Sequence, residues 1–362
     1  MNDVSHHQLL EDFQLTKKYT NAIFIGRFQP FHNGHLHVAL KGLEIAENLV
    51  IVLGSTNKPA TVDNPWDSLQ REQYIRHAIA TAIGASEAAD RIKFTRVPDR
   101  LYNDQVWIKN IMTAVSNVTN NTDANVMIGH YKNQESYWLH MFPQWDLCDT
   151  GGNNELVATD IRKAYFKQKP DFQFISDRVP SAIYHFLKAN HDGKLHQYLT
   201  EEMGFVESYK QAWAAAPYPV KHVTVDAVVV QSGHVLLIRR RASPGKGLWA
   251  LPGGHLEVDE NLDELAAIRE LREETKLKVP VPVLQGSIKA QGVFGHPRRS
   301  TIGRVITHAY LFVLTPTHDH ELPRVKGSDD ADKAKWVPLS ELKEDEMFDD
   351  HYQIIMQLLG ET

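Results

Sequence analysis

A chain of 362 residues is too long for one ordinary core and suits two domains. Its 42% hydrophobic and 23% charged residues indicate globular domains, and a net charge of -6 argues against a nucleic-acid partner while leaving room for a small phosphorylated substrate. One cysteine, Cys148, excludes an internal disulfide and suits a reducing cytoplasm; the polar start and the lack of an apolar run of about 18 residues predict neither a signal peptide nor a membrane span.

Residues 1–20 read as a polar tail. Ala22–Phe28 then reads as a buried strand, followed by a turn with Pro30 and Gly34. Leu36, Leu40 and Leu43 recur at helical steps, and Leu49–Ser55 is a second buried strand, which makes a right-handed βαβ unit. Further strands are predicted at Ile92–Val97 and Val126–Ile128, and helices at Ser68–Ile83 and Val106–Val115. The alternation implies a parallel α/β sheet over residues 21–190. Residues 191–219, polar, then alanine-rich and ending in Pro-Tyr-Pro, read as a linker. Beyond it strands dominate: Val223–Val230, the GHVLLIRRR stretch and Thr307–Leu314. Helices are expected at Asn261–Thr275 and Tyr352–Leu359, so residues 220–362 form an α+β domain.

Two segments carry chemistry. His32 and His35 lie three apart with Gly34 between them, at a strand-to-helix junction. Two imidazoles and the helix amides at one point favour a phosphate, and such donors stabilise the charge gained in attack on an α-phosphate. Gly26, at the strand end, is expected to leave space for backbone to approach a ligand. In the second segment, Gly253-Gly254 reads as a turn before a helix. Glu270, Glu273 and Glu274 fall within about 100° of arc on that helix, opposite Leu262, Leu265, Ile268 and Leu271. Three carboxylates on one face repel, and a hard divalent cation would relieve them.

The string GRFQPFHNGH (Gly26–His35) resembles the nucleotidyltransferase superfamily motif, specifically the archaeal-type nicotinamide mononucleotide (NMN) adenylyltransferases. The resemblance spans about residues 20–190 and implies a Rossmann-like fold that joins ATP and NMN into NAD and pyrophosphate, with Mg2+ on the triphosphate. It places Gly26, Arg27, Phe28 and Gly34 at the substrate beside His32 and His35. In VATDIRKAYF it matches Thr159 and Arg162 to the positions that grip the triphosphate. Asn103 and Trp107 match positions at the nicotinamide end, and Lys132 falls in the matching stretch IGHYKNQESYW. GSTNKPATVDNPWDSLQRE matches a stretch with Asn-Pro and a following Arg.

The string from Gly253 resembles the Nudix box, over about residues 220–360. Gly254 and Glu260 fit its first spacing, RELREE (Arg269–Glu274) its core and Leu277 its last aliphatic position. Two departures stand out: eight residues instead of seven separate Glu260 from Arg269, and Lys276 replaces a glycine. The resemblance implies that Glu270, Glu273 and Glu274, helped by a carbonyl near Gly254, hold Mg2+ or Mn2+ for hydrolysis of ADP-ribose to AMP and ribose 5-phosphate. Arg269 would orient a glutamate. Asp329, Asp330 and Glu321 are candidates for the base, and Arg298, Arg299 and Arg304 for phosphate contacts. The alternative is a Nudix half that senses ADP-ribose without hydrolysing it. The expected chain is a cytoplasmic enzyme of NAD metabolism with two activities, its oligomeric state open.

Overall fold

The computed structural model describes residues 18–120, 123–131, 134–151, 157–316, 321–327 and 331–360. Side chains of residues 134, 135, 331 and 332 are also left undescribed. Lys132, Asp329 and Asp330 therefore lie outside the described residues.

The N-terminal half is built on a five-stranded parallel sheet. Its strands are β1 (Tyr19–Gly26), β2 (Ala46–Leu53), β3 (Ile92–Arg96), β4 (Asn125–Gly129) and β5 (Asp146–Asp149), in the order β3-β2-β1-β4-β5. Strands β1 and β2 are almost continuously apolar because both faces are covered. Helix α1 (Asn33–Ile45) hands over directly to β2, which therefore begins at Ala46, three residues before the expected start at Leu49. Helices α2 (Ser68–Ile83), α3 (Ala85–Arg91), α4 (Asp104–Ser116), α5 (Ala158–Tyr165), α6 (Phe172–Ser176) and α7 (Ser181–Asn190) complete the layers. One core lies between the sheet and α1, α2 and α7; a second lies under α4.

The stretch read as a linker holds a 20-residue helix, α8 (Lys194–Trp213). It buries Leu199, Met203 and Val206 at helical spacing, and Leu199 and Met203 join the N-terminal core. The helix also meets the other domain. The Glu202 carboxylate accepts from the Gly245 amide at 2.9 Å, and Tyr209 packs on His222.

The C-terminal half contains β6 (Lys221–Gln231), β7 (His234–Arg240), β8 (Trp249–Ala250), β9 (Gly253–His255), α9 (Glu264–Thr275), α10 (Val281–Gly286), β10 (Ile288–Phe294), β11 (Arg304–Val313), β12 (Ala331–Pro338) and α11 (His351–Leu359). The mixed sheet runs β10-β11-β6-β7-β12, with β8 on β7 and β9 on β6; β11 and β6 are parallel. Cores lie on both faces of this sheet, under α9 and under α11. Gly253 and Gly254 are part of β9 and not of a turn. The apolar face of α9 also differs from expectation. Leu262 precedes the helix and Leu265 is exposed, while Ala266, Ala267, Ile268 and Leu271 are buried. Among the described residues no helix is long and apolar enough to cross a membrane.

Candidate active sites

The first site lies at the carboxyl end of β1, where ligands of open parallel sheets bind. After Gly26 the backbone turns back at Phe28, whose φ is 53°. The Phe28 ring folds over Gly26, where a Cβ would come within 2.7 Å of it. The space at Gly26 thus holds an aromatic ring, contrary to the expectation that it clears room for a ligand. Phe28 is itself buried and supports His35 edge-on at 5.0 Å. Arg27, in contrast, is exposed.

His32 and His35 cap α1 reciprocally. The His35 amide donates to His32 Nδ1 and the His32 amide to His35 Nδ1, both at 3.3 Å. The rings stack with centroids 3.6 Å apart. A ring nitrogen that accepts from an amide carries no proton, so each neutral ring has its proton on Nε2. The helix amides are less available than the sequence suggests. Asn33 donates to the Arg178 carbonyl at 2.9 Å and His35 to the His32 ring, which among the described residues leaves the Gly34 amide. The site is therefore a pair of imidazole donors more than a bare helix terminus.

Arg162 is 2% exposed. Its guanidinium donates to the carbonyls of Val62 and Gln29 and to Asp63 Oδ1, each at 2.8 Å, and to Thr159 Oγ1 at 3.2 Å. Burial lowers its pKa, and the Asp63 charge opposes that shift. Arg162 and Thr159 thus meet as expected, but as a clamp between segment 62–64 and the turn before His32. The Asp63 side chain is half exposed, so an anion has access to the one partner of Arg162 it would replace. Arg71, which the Asn-Pro stretch only hinted at, is fully buried and donates to the carbonyls of Arg27, Gly54, Ser55 and Asp67. It staples the ends of β1 and β2. Asn103 caps α4 through its Oδ1 on the Val106 amide at 3.1 Å, and Trp107, one turn on, stands edge-on to Trp138.

The second site joins β9 to α9. A Cβ on Gly254 would lie 2.4 Å from Glu270 Oε1, so only glycine lets the strand approach that carboxylate. Glu274 is buried and accepts from the Gly253 amide at 2.9 Å. Burial pushes its carboxyl up to about 8, although that hydrogen bond pulls it down. Burial also raises Glu270, while Glu273 is exposed. Arg269 grips Glu260 through two bonds of 2.9 Å and reaches Glu270 and Glu273 at 3.0 Å. The extra residue is absorbed in the loop before Asp263, and the Glu260–Arg269 pair survives it. Lys276 has φ 53° and ψ 27°, the left-handed C-cap that a glycine adopts without strain. Three carboxylates, one of them buried, beside a backbone approach that only glycine permits put hard oxygen donors at one place, so the residues fit a divalent cation.

Beside these carboxylates lies a cavity of about 330 Å³. Gly253, Gly254, Glu274, Arg299 and Asp349 line it, as do Phe205 and Tyr209 of α8. The two aromatics and Asp349 have no signal in the Nudix string, because helix packing and a loop after β12 bring them in. Asp349 has φ 45°, and burial, with the neighbouring Asp350 charge, pushes its carboxyl up to about 7. Of the expected phosphate contacts, Arg299 lines the cavity; Arg298 is exposed and Arg304 is not among the lining residues. Arg304 Nη1 is buried and makes no hydrogen bond among the described residues. Glu321 is exposed and lies off the cavity, its carbonyl accepting from Gln231.

Comparison with known proteins accords with this division. A cytidylyltransferase-like family model matches residues 23–164, and a NUDIX domain model matches residues 220–358. A nicotinamide/nicotinic acid mononucleotide adenylyltransferase of Acinetobacter baylyi is 31% identical over 186 residues, which is 51% of this chain and 94% of that protein. An ADP-ribose pyrophosphatase of Methanocaldococcus jannaschii is 35% identical over 133 residues, 37% of this chain and 70% of that protein. A crystal structure of a bifunctional NMN adenylyltransferase/ADP ribose pyrophosphatase from Francisella tularensis superposes with a TM-score of 0.87 and 35% identity, covering 95% of this chain and 99% of that one. The same description fits a second Francisella tularensis structure, complexed with AMP and a manganese ion, at a TM-score of 0.86 and 34% identity over the same shares. With both sites in place and the likeness running through both halves, the chain belongs to the family of bifunctional NMN adenylyltransferase/ADP-ribose pyrophosphatases.

Proposed function

We propose that the N-terminal site transfers the adenylyl group of ATP to NMN, and that the C-terminal site hydrolyses ADP-ribose to AMP and ribose 5-phosphate. In the first reaction an NMN phosphate oxygen attacks the α-phosphorus and the bond to the β-phosphate oxygen breaks, releasing pyrophosphate and NAD. The observation that carries this reading is the reciprocal His32–His35 cap, which fixes two Nε2–H donors at the phosphate end of β1. Donors held in place stabilise charge that develops on the transferring phosphoryl group. Arg27 and the Gly34 amide add positive potential, with Thr159 and Arg162 behind them. Asn103 and Trp107 are assigned to the nicotinamide end, where an aromatic ring attracts a cationic pyridinium.

In the second reaction Glu270, Glu273 and Glu274, with the Gly254 backbone, would hold Mg2+ or Mn2+. Such an ion supplies Lewis acidity and lowers the pKa of water. The chain's own residues orient the rest. Arg269 keeps Glu270 and Glu273 in place and is itself fixed by Glu260. Asp226, Glu274 and Asp349 line the cavity; with Glu274 assigned to the ion and Asp226 accepting from Thr307, Asp349, and not Glu321, is the carboxylate left to take a proton there. Against a non-hydrolysing module, the two departures leave Arg269 paired with Glu260, Glu270 and Glu273. The single cysteine and the soluble-type composition support a cytoplasmic site of action.

The test is a substrate screen of the whole protein. ATP with NMN or with nicotinic acid mononucleotide should yield the dinucleotide and pyrophosphate, and ADP-ribose with Mg2+ or Mn2+ should yield AMP. Dinucleotide formation without AMP release would reduce the C-terminal half to a binding module.

A further inference from the structure

The two halves meet at a seam that reaches into the second site. The loop between β3 and α4 leaves the first domain with Asp99 anchored to Ser55 at the end of β2, Oγ to Oδ2 2.7 Å. Its next residues dock on the C-terminal domain. Arg100 pairs with Glu344 at 3.5 Å, and the Leu101 amide donates to Gln353 Oε1 at 3.0 Å. The Tyr102 ring stands edge-on to Phe294 at 5.3 Å, and its hydroxyl donates to Asp350 Oδ2. Asp350 is 1% exposed and receives Arg299 through Nε at 2.9 Å and Nη2 at 2.8 Å.

Arg299 thus spends one edge of its guanidinium on Asp350. Its remaining nitrogen, Nη1, makes no hydrogen bond among the described residues, and the side chain lines the cavity beside Gly253, Gly254 and Glu274. A planar guanidinium held on one edge presents the other at a fixed angle, which suits a phosphate oxygen. We infer that Arg299 binds the pyrophosphate of the C-terminal substrate, and that Tyr102, contributed by the adenylyltransferase half, is a positioning residue for it through Asp350. This deepens the ADP-ribose reading and rests on it.

Without the hydroxyl, Asp350 keeps Arg299 but loses the bond that fixes its own orientation. The effect should therefore fall on substrate binding and not on the chemical step. The Tyr102→Phe variant keeps the ring on Phe294 and so keeps the packing. Its KM for ADP-ribose should rise about tenfold, the value of a hydrogen bond to a charged group, with kcat within about twofold of wild type. In an Arg299→Lys background, which keeps the charge and loses the two-pronged grip, Tyr102→Phe should change KM by less than about twofold. Additive effects in that cycle overturn the inference, as does an unchanged KM in Tyr102→Phe while wild type turns over ADP-ribose. An equal fall in kcat for both reactions with KM unchanged assigns Tyr102 a structural role only and also overturns it. Absence of AMP release by wild type overturns the ADP-ribose reading, and with it the role given to Arg299.

Discussion

In the turn that opens α1, His32 and His35 each give a ring nitrogen to the other's backbone, so the same atoms that end the helix also set the tautomer of the proposed catalytic donors. His35→Ala should consequently cut NAD synthesis by orders of magnitude and cost about 1 kcal/mol of stability, as loss of a cap does. Steady-state rates and a denaturant midpoint check both, and near-normal synthesis would remove His35 from the site. Asp349 offers a pH test. Its carboxyl is pushed up to about 7, mainly by burial. Below an unfolded value of about 4 both states are protonated. As pH rises from there through about 7, the unfolded chain has released a proton that the folded chain keeps, so the fold loses stability across that window. Asp349→Asn removes this loss, and its melting temperature relative to wild type should be higher at pH 8 than at pH 4. A difference independent of pH contradicts the assignment of a perturbed carboxyl. At this scale the sequence was informative about His32, His35 and the three glutamates, whose spacing declares them. It was silent on Asp349, Phe205 and Tyr209, because each reaches the cavity from an element distant in sequence.

The elements themselves were legible where periodicity was strong. Helix α2 matches its expected bounds, Ser68–Ile83, and β3 and β4 fall within a residue or so of theirs. Expectation fell short where residue type and position in the sheet or helix disagree. Strand β2 begins at Ala46 and not at Leu49: Glu47 and Asn48 interrupt the apolar run by type, and the sheet pairing of Ala46–Leu53 with Tyr19–Gly26 makes them strand. At the start of α9, Leu262 and Leu265 fit an apolar stripe by type, yet Leu262 precedes the helix, both are exposed, and smaller alanines are buried instead. The C-cap of α9 gives the clearest element-scale prediction. Lys276 occupies a left-handed conformation that costs an L-residue roughly 1 kcal/mol, partly offset by the greater freedom of glycine in the unfolded chain. Lys276→Gly should therefore stabilise the protein by a few tenths of a kcal/mol or more while leaving hydrolysis unchanged. A lower melting temperature would mean that the lysine side chain contributes something the backbone argument omits.

Across the whole molecule, the region expected to separate the halves instead joins them. Helix α8 buries Leu199 and Met203 in one core and lends Phe205 and Tyr209 to the other domain's cavity, and the loop around Tyr102 crosses to Asp350. Even so, Glu273 is exposed and lies off this seam. Glu273→Gln should abolish ADP-ribose hydrolysis and leave NAD synthesis unchanged, measured on the same preparation; a parallel fall in both would show that the carboxylate face supports the first site as well. What the sequence determined by itself was the chemistry of each half: two local strings, each confined to one strand-to-helix or strand–loop–helix unit, where spacing along the chain is spacing in the site. What only the tertiary structure decided was which side chains complete those sites. Burial turned Arg162 into an internal clamp, filled the space at Gly26 with Phe28, and brought α8 to the second cavity and the Tyr102 loop to Asp350. Those outcomes depend on packing between segments tens to hundreds of residues apart, which no local spacing encodes.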